Sequence, residues 1–336
     1  MEIKIGNKKI GKKNPVFIIA EGGINHNGSI KIAKKIISKA KEVGADAIKF
    51  QTFKAEDLAS EKSEYFKLFK KLELEDHEFG EIADYAKEQK IEFLSTPFSK
   101  NAVDLLENLD VSAFKIASGD LTHIPLIQYA AQKKKPMIIS TGLARMNEVR
   151  EAVKAIENCK NYKIIILHSV SAYPTPPNEV NLRVIQNLKK EFPYEIGYSD
   201  NGSESLSSIG TVFMGGKIIE KHFTINKKLK GPDHLLSSDP NEFHSLTKNI
   251  RLAESILGDG IKQCQPSELR NKTTMRRSIT VTSFIKKGTK LNSNLIDVKR
   301  PATGIEPKYY NKIIGYITKK NIKQHESLKW NDIYKK

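Results

Sequence analysis

The segment YEIGYSDNGSESLSSIGTVFMGGKIIEKHFT, residues 194–224, holds two short apolar runs, YEIGY (194–198) and KIIEKHF (217–223). The first stops in Ser199, Asp200 and Asn201, the second at His222 and Thr224. Runs of this length, cut off by polar residues, read as strands. The same unit recurs upstream. VFIIA (16–20) precedes Glu21, ADAIKF (45–50) precedes Gln51, and IEFLS (91–95) precedes Thr96. SAFKIA (112–117) precedes Ser118, PMIIS (136–140) precedes Thr141, and KIIILH (163–168) precedes Ser169, which makes eight. Between them, apolar residues fall at three- and four-residue spacing over 30–44, 78–90, 101–109, 146–159 and 181–192, the pattern of amphipathic helices. Eight strands alternating with helices predict a parallel α/β fold. A closed (β/α)8 barrel and an open doubly wound sheet both answer to that description. Eight units in roughly 225 residues suit the barrel. No GxGxxG follows the first strand, so the dinucleotide-binding form of the open sheet loses its main support.

After residue 260 the texture changes. Residues 1–260 form the predicted barrel domain, and 261–277 have little apolar periodicity and read as a linker. Short strand-like pieces punctuated by Gly288, Pro301, Gly304 and Gly315 then predict a compact β-rich domain over 278–336. A domain of about sixty residues is near the size where independent stability is marginal.

Composition narrows the function classes. Of 336 residues, 39% are hydrophobic and 28% charged, as in a soluble globular protein. No apolar stretch is long enough to span a bilayer, and the start, MEIKIGNKKIGKKNP, lacks a signal-peptide block, so a cytoplasmic location is expected. Cys159 and Cys264 are the only cysteines, and neither sits in a CxxC, which argues against a disulfide framework or a thiolate metal site. The net charge of +17 raises nucleic-acid binding, but the lysines are dispersed and no nucleic-acid motif accompanies them. An anionic small-molecule substrate is the expectation.

The strand ends carry the chemistry. In a barrel the active site lies at the C-terminal ends of the strands. Here those ends hold Glu21, Lys49, Gln51, Thr96, Lys115, Ser118, Asp120, Ser140, Thr141, His168, Ser199, Asp200, Asn201 and His222. Buried charges need partners, and an anionic ligand or Lys–Glu pairing both supply them. The accompanying hydroxyls favour a phosphate or carboxylate.

Ten motifs now come in order: AEGGINHNGS (20–29), IKFQTF (48–53), STPF (95–98), FKIASGDLT (114–122), ISTGLA (139–144), AYPTPPNEVNL (172–182), IGYSDNG (196–202), IEKHFT (219–224), GPDH (231–234) and VKRPATGI (298–305). Over essentially the whole chain they resemble the N-acetylneuraminate (sialic acid) synthase family, including the legionaminate and pseudaminate synthases. The resemblance implies a (β/α)8 TIM barrel followed by a small antifreeze-like (SAF) domain. It implies condensation of phosphoenolpyruvate with the open-chain aldehyde of an N-acylated amino sugar, N-acetylmannosamine or a relative, giving a nine-carbon 2-keto acid and phosphate. A legionaminate-type reaction on 2,4-diacetamido-2,4,6-trideoxymannose is the alternative. Rivals are a condensation on a sugar phosphate and a non-catalytic glycan-binding role.

By that resemblance, Lys115, Ser118, Ser140 and Ser199 would hold phosphoenolpyruvate. Glu21 would contact the sugar and stand closest to a general acid/base role, with Lys49 facing the reacting centre. Gln51, Asp120, Tyr173 and Asp233 would bind the sugar. Arg300 would reach the sugar N-acyl group in the partner's barrel, which implies a domain-exchanged homodimer. The family binds Mn²⁺ or Mg²⁺ through two histidines. His222 matches one, and Asn201 stands at the other. Asp120 replaces a common glutamate, and Ser171 stands where some members have asparagine. His26 reads as a hydrogen-bonding loop residue, and His168 has no assigned role.

Overall fold

The computed structural model describes residues 3–336. The chain divides into two compact units, Met1–Gly258 and Asp259–Lys336. The first opens with a hairpin, β1 (Ile3–Ile5) and β2 (Lys8–Ile10). Eight parallel strands then close a barrel: β3 (Phe17–Gly23), β4 (Ala47–Thr52), β5 (Glu92–Pro97), β6 (Phe114–Ile116), β7 (Met137–Ser140), β8 (Ile164–Ser169), β9 (Glu195–Asp200) and β10 (Ile218–His222). Strand β10 pairs with β3 to complete the ring, with His222 opposite Glu21.

All eight sequence-predicted strands are present. Five helices lie near their expected spans: Ile30–Glu42, Asp76–Glu88, Lys100–Asn108, Met146–Asn158 and Arg183–Glu191. Three longer helices had not been singled out: Ile124–Gln132, Leu206–Phe213 and Pro240–Leu257. The last starts on Asp239, whose side chain accepts from the backbone N–H groups of Asn241 and Glu242, with Pro240 in the first turn.

Strand side chains alternate between the two faces. Phe17, Ile19, Ala47, Leu94, Ala113, Ile138, Ile165, Leu167 and Ile218 form the barrel's inner core, with Ile3, Ile5 and Ile10 of the hairpin packed onto it. The alternating charge and apolar residues at the start of the chain are therefore a plug for the barrel's N-terminal end. The intervening residues, among them Ile18, Ile48, Phe50, Phe114, Ile139, Ile166, Tyr198 and Ile219, pack outward in the larger core with the helices.

The second unit has two antiparallel pairs, β11 (Ser278–Val281) with β12 (Ile296–Lys299) and β13 (Ile317–Thr318) with β14 (Ile333–Tyr334). Its core is aliphatic: Ile279, Val281, Ile285, Leu291, Ile296, Ile305, Ile313, Ile322, Leu328 and Ile333. The stretch 261–277, read as a linker, contains a helix, Leu269–Met275, with no buried residue. Among the described residues no helix is long and apolar enough to cross a membrane.

Candidate active site

The inward alternation that builds the barrel core continues toward the C-terminal strand ends. Counting in twos from Ile19, Ala47, Leu94, Ala113, Ile138, Leu167 and Ile218 leads to Glu21, Lys49, Thr96, Lys115, Ser140, Ser169 and Glu220. One step further lie Gln51 and His222. On β9 the same alternation gives Ser199 and Asn201. Every one of these lines a single cavity of about 630 Å³. The loops add Ile24, Phe98, Ser118, Leu143, Ser171, Tyr173, Pro232, Asp233 and Leu236. Asp120, in the turn Ser118–Asp120, is not among the lining residues. Arg300 is exposed on the second unit.

Four buried charges form the floor. Lys49 pairs with Glu21, and its Nζ lies 3.8 Å from Glu220 Oε2. Lys115 Nζ lies 3.4 Å from Glu220 Oε1. Lys49 also donates to Thr96 Oγ1 at 2.9 Å, and Ser199 Oγ donates to Glu220 Oε1 at 3.0 Å. Two ammonium and two carboxylate groups, none more than 5% exposed, thus alternate in a chain. Burial pushes the Glu21 pKa above the ordinary carboxylate value, and Lys49 only partly opposes it. Burial works the same way on Glu220, but Lys115 and Lys49 outweigh it and hold that carboxyl low. Burial pulls Lys115 below the ordinary lysine value. Burial also opposes the charge on Lys49, where two carboxylates override it and raise its pKa.

Glu220 was missing from the sequence-derived set. Its signal was there: it stands two residues before His222 in one strand, on the same inward face.

Several polar atoms are buried without a hydrogen-bond partner: Ser140 Oγ, Ser171 Oγ, Glu21 Oε1 and His222 Nδ1. Such atoms are uncommon inside proteins and call for a partner, which a water, an ion or a ligand can supply. A Cβ added to Gly23, whose φ of +48° suits glycine, would lie 3.1 Å from Glu21 Oε1 and 3.5 Å from both Asp233 Oδ2 and Gln51 Nε2. Those three side chains therefore converge beside the Glu21–Lys49 pair.

Asp233 is fixed by a latch between two loops. Asn25 Nδ2 donates to the carbonyl of Phe223 and to Ser237 Oγ, both at 2.9 Å. Asn27 Nδ2 donates to the Lys230 carbonyl at 2.9 Å and approaches His234 Nε2 at 3.1 Å. His234 Nδ1 lies 2.7 Å from Thr224 Oγ1. The INHNG and GPDH motifs thus hold each other. His26 is a hydrogen-bonding loop residue: its Nδ1 accepts from the Gly28 N–H at 3.1 Å. His168 faces the helices, bonded through Nε2 to the Val180 carbonyl at 2.7 Å, with its ring tilted at 40° to that of Tyr198.

His222 and Asn201 offer a divalent ion limited means. His222 Nδ1 is a buried nitrogen without a partner, 4.0 Å from Asp233 Oδ2, with the Tyr173 ring edge-on at 5.7 Å. Asn201 donates through Nδ2 to the Val170 carbonyl at 2.8 Å, so only its amide oxygen could face an ion. Among the described residues no three His, Cys, Asp or Glu side chains gather as a metal set. One imidazole and one amide oxygen fit an ion whose remaining ligands are water and substrate, and such a site is harder and weaker than a two-histidine one.

Known proteins resemble this chain in sequence and in fold. The chain is 40% identical to the N,N'-diacetyllegionaminic acid synthase of Legionella pneumophila, over 98% of this chain and 97% of that protein. An uncharacterized protein of Methanocaldococcus jannaschii is 48% identical over 99% of this chain and 98% of its own length. The crystal structure of N-acetylneuraminic acid (sialic acid) synthetase from Leptospira borgpetersenii, solved with citrate, superposes with a TM-score of 0.77 at 37% identity, covering 81% of this chain and 95% of that one. Residues 36–262 match the NeuB family and residues 276–333 the SAF domain. The NeuB match over most of the barrel, the SAF match that follows it and the 40% identity across nearly the full length of both chains make this chain a member of the NeuB family of nonulosonate synthases, transferases that condense phosphoenolpyruvate with a sugar.

Proposed function

We propose that the protein condenses phosphoenolpyruvate with the open-chain aldehyde of an N-acylated amino sugar, and that the favoured sugar is 2,4-diacetamido-2,4,6-trideoxymannose, giving a legionaminate-type 2-keto acid. N-acetylmannosamine, giving N-acetylneuraminate, is the second reading. The first is supported by the Legionella relative and by the apolar side chains Ile24, Phe98, Leu143, Pro232 and Leu236 lining the cavity. A 6-deoxy sugar presents a methyl group to such a surface.

The observation that carries the reaction class is the floor of two lysines and two glutamates beside partnerless hydroxyls. Lys115, with Ser118, Ser140 and Ser199, binds the phosphate and carboxylate of phosphoenolpyruvate, and Lys49 adds its charge at the reacting centre. C3 of phosphoenolpyruvate bonds to the aldehyde carbon. Glu21, kept protonatable by burial, gives its proton to the aldehyde oxygen. Water adds at C2 and one of its protons returns to Glu21; the C2–O bond to phosphate then breaks, the remaining hydroxyl proton leaves with the phosphate, and the C2 ketone forms. Gln51, Tyr173 and Asp233 orient the sugar hydroxyls, and Asp120 acts from the neighbouring turn. A Mn²⁺ or Mg²⁺ ion on His222 and Asn201 would polarise the aldehyde carbonyl. Arg300 completes the site from a partner protomer, in a domain-exchanged homodimer. The exposed side chains of Leu206 and Leu235, beyond β9 and β10, offer apolar surface to a covering domain.

The test is phosphate release from phosphoenolpyruvate by EDTA-treated protein with either sugar, with and without Mn²⁺ or Mg²⁺. Release that requires one of these sugars supports the proposal. No release with either sugar under any metal condition rejects it.

A further inference from the structure

Leu143 follows β7 in the turn Thr141–Ala144, with a backbone φ of +64°. Other residues with positive φ have local reasons. Lys90, Asp110, Lys134 and Lys160 each stand just past a helix end, where a left-handed residue terminates the helix. Asn27 and Asn181 are asparagines, which tolerate that region, and His325, of another residue type enriched there, stands in a tight turn of the second unit. Leu143 has neither excuse, and its side chain is 80% exposed while lining the cavity. The turn that imposes this conformation is clamped. The Thr141 N–H and hydroxyl both donate to the Leu167 carbonyl at 3.0 Å. The Gly142 N–H donates to Ser118 Oγ at 3.1 Å. A Cβ on Gly142 would fall 2.2 Å from Ser171 Oγ, so the backbone lies flat against the cavity wall. A strained backbone that projects a large apolar side chain into water over a charged cavity is a mark of function.

We propose that Leu143 is a specificity-determining contact for a methyl group of the sugar, belonging either to an N-acyl substituent or to C6. This rests on the condensation reading above. The other apolar lining residues, Ile24, Phe98, Pro232 and Leu236, complete the apolar part of the same cavity. Leu143 is exposed in the free protein and becomes buried when the sugar arrives. Burying most of a leucine side chain raises affinity about tenfold or more.

Steady-state kinetics of L143G, L143N and L143M, with both sugars, test this. Glycine and asparagine accept the left-handed backbone, so both variants should melt within about 2 °C of the wild type or above it. Their KM for the contacted sugar should rise about tenfold, with the KM for phosphoenolpyruvate within twofold. L143M keeps an apolar side chain and should stay near the wild type. A rise confined to the trideoxy sugar assigns the methyl to C6 or the 4-acyl group, and an equal rise with both sugars assigns it to the 2-acyl group. Unchanged sugar KM in L143G and L143N overturns the proposal, as does an equal rise in both KM values. So does a changed oligomeric state on gel filtration with sugar KM intact, which would make Leu143 a cover for an interface. Wild-type protein that turns over neither sugar rejects the underlying reaction as well, whereas normal turnover with unaffected variants rejects Leu143 alone.

Discussion

Replacing Glu220 by alanine probes the charged floor directly. Lys49 and Lys115 are 3% and 4% exposed, and Glu220 is the carboxylate placed between them. Without it, both lysines depend on Glu21, which pairs with Lys49. Removing one partner of a buried ion pair costs about 3–5 kcal/mol. Lys115 gives way first, because burial already pulls its pKa below the ordinary lysine value. For a unit of this size, about 2–4 °C of Tm goes with each kcal/mol, so Tm should fall by roughly 6–20 °C. On the proposed reading, phosphoenolpyruvate would bring its own anionic groups to the lysines. Its stabilisation of the wild type at one hundred times Kd is about 2.7 kcal/mol. In the variant the same ligand concentration should raise Tm by distinctly more, since it also replaces the missing counter-charge. Thermal unfolding of both proteins with and without phosphoenolpyruvate reads this out. A fall below about 2 °C, or an equal ligand-induced rise in both proteins, would refute the view that Glu220 stands in for the substrate's charge.

Three further outcomes are expected. Asn201→His should tighten Mn²⁺ binding about tenfold or more, by exchanging an amide oxygen for imidazole; titration calorimetry showing equal affinity would place residue 201 away from the ion. Arg300→Ala should lower kcat/KM for the sugar at least tenfold and leave the barrel's melting transition in place; wild-type kinetics would remove the second domain from the reaction. Burial lowers the pKa of His26 from its ordinary 6.5 to about 4. Between those pH values the unfolded chain takes up a proton that the folded protein refuses, so stability falls as pH drops. The loss is about 3 kcal/mol from pH 7 to 4. Urea unfolding across that range should show a shallower fall in His26→Gln, and an identical slope in the two proteins would contradict the assignment.

The barrel was legible because eight apolar runs ended in polar residues, and a period of two then divides each strand into faces. That period places Lys49 and Lys115 inside and also reaches Glu220, which motif matching alone passed over. Helix Leu206–Phe213 was harder to read: LSSIGTVF has serine, glycine and threonine where helix formers usually stand, and packing against helix Pro240–Leu257 and β9 holds it. Helix Pro240–Leu257 could have been read from its Asp-Pro-Asn-Glu start. The latch from Asn25 to Phe223 and Ser237, and from Asn27 to Lys230 and His234, joins residues some two hundred positions apart, and no local pattern announces it.

The hairpin that plugs the barrel base makes the cavity a vessel with one mouth. Traffic through such a vessel has an order. Whatever settles on the lysines of the floor must enter before anything closes over Leu143 and Asp233 at the rim. If phosphoenolpyruvate sits on that floor, as proposed above, its phosphate would lie deepest; the larger product would then clear the rim before phosphate leaves, and a sugar arriving first would obstruct the anion rather than await it. On that reading a fold element with no catalytic side chain, the hairpin Ile3–Ile10 packed on the inner core, would set the sequence of events at the opposite end of the barrel.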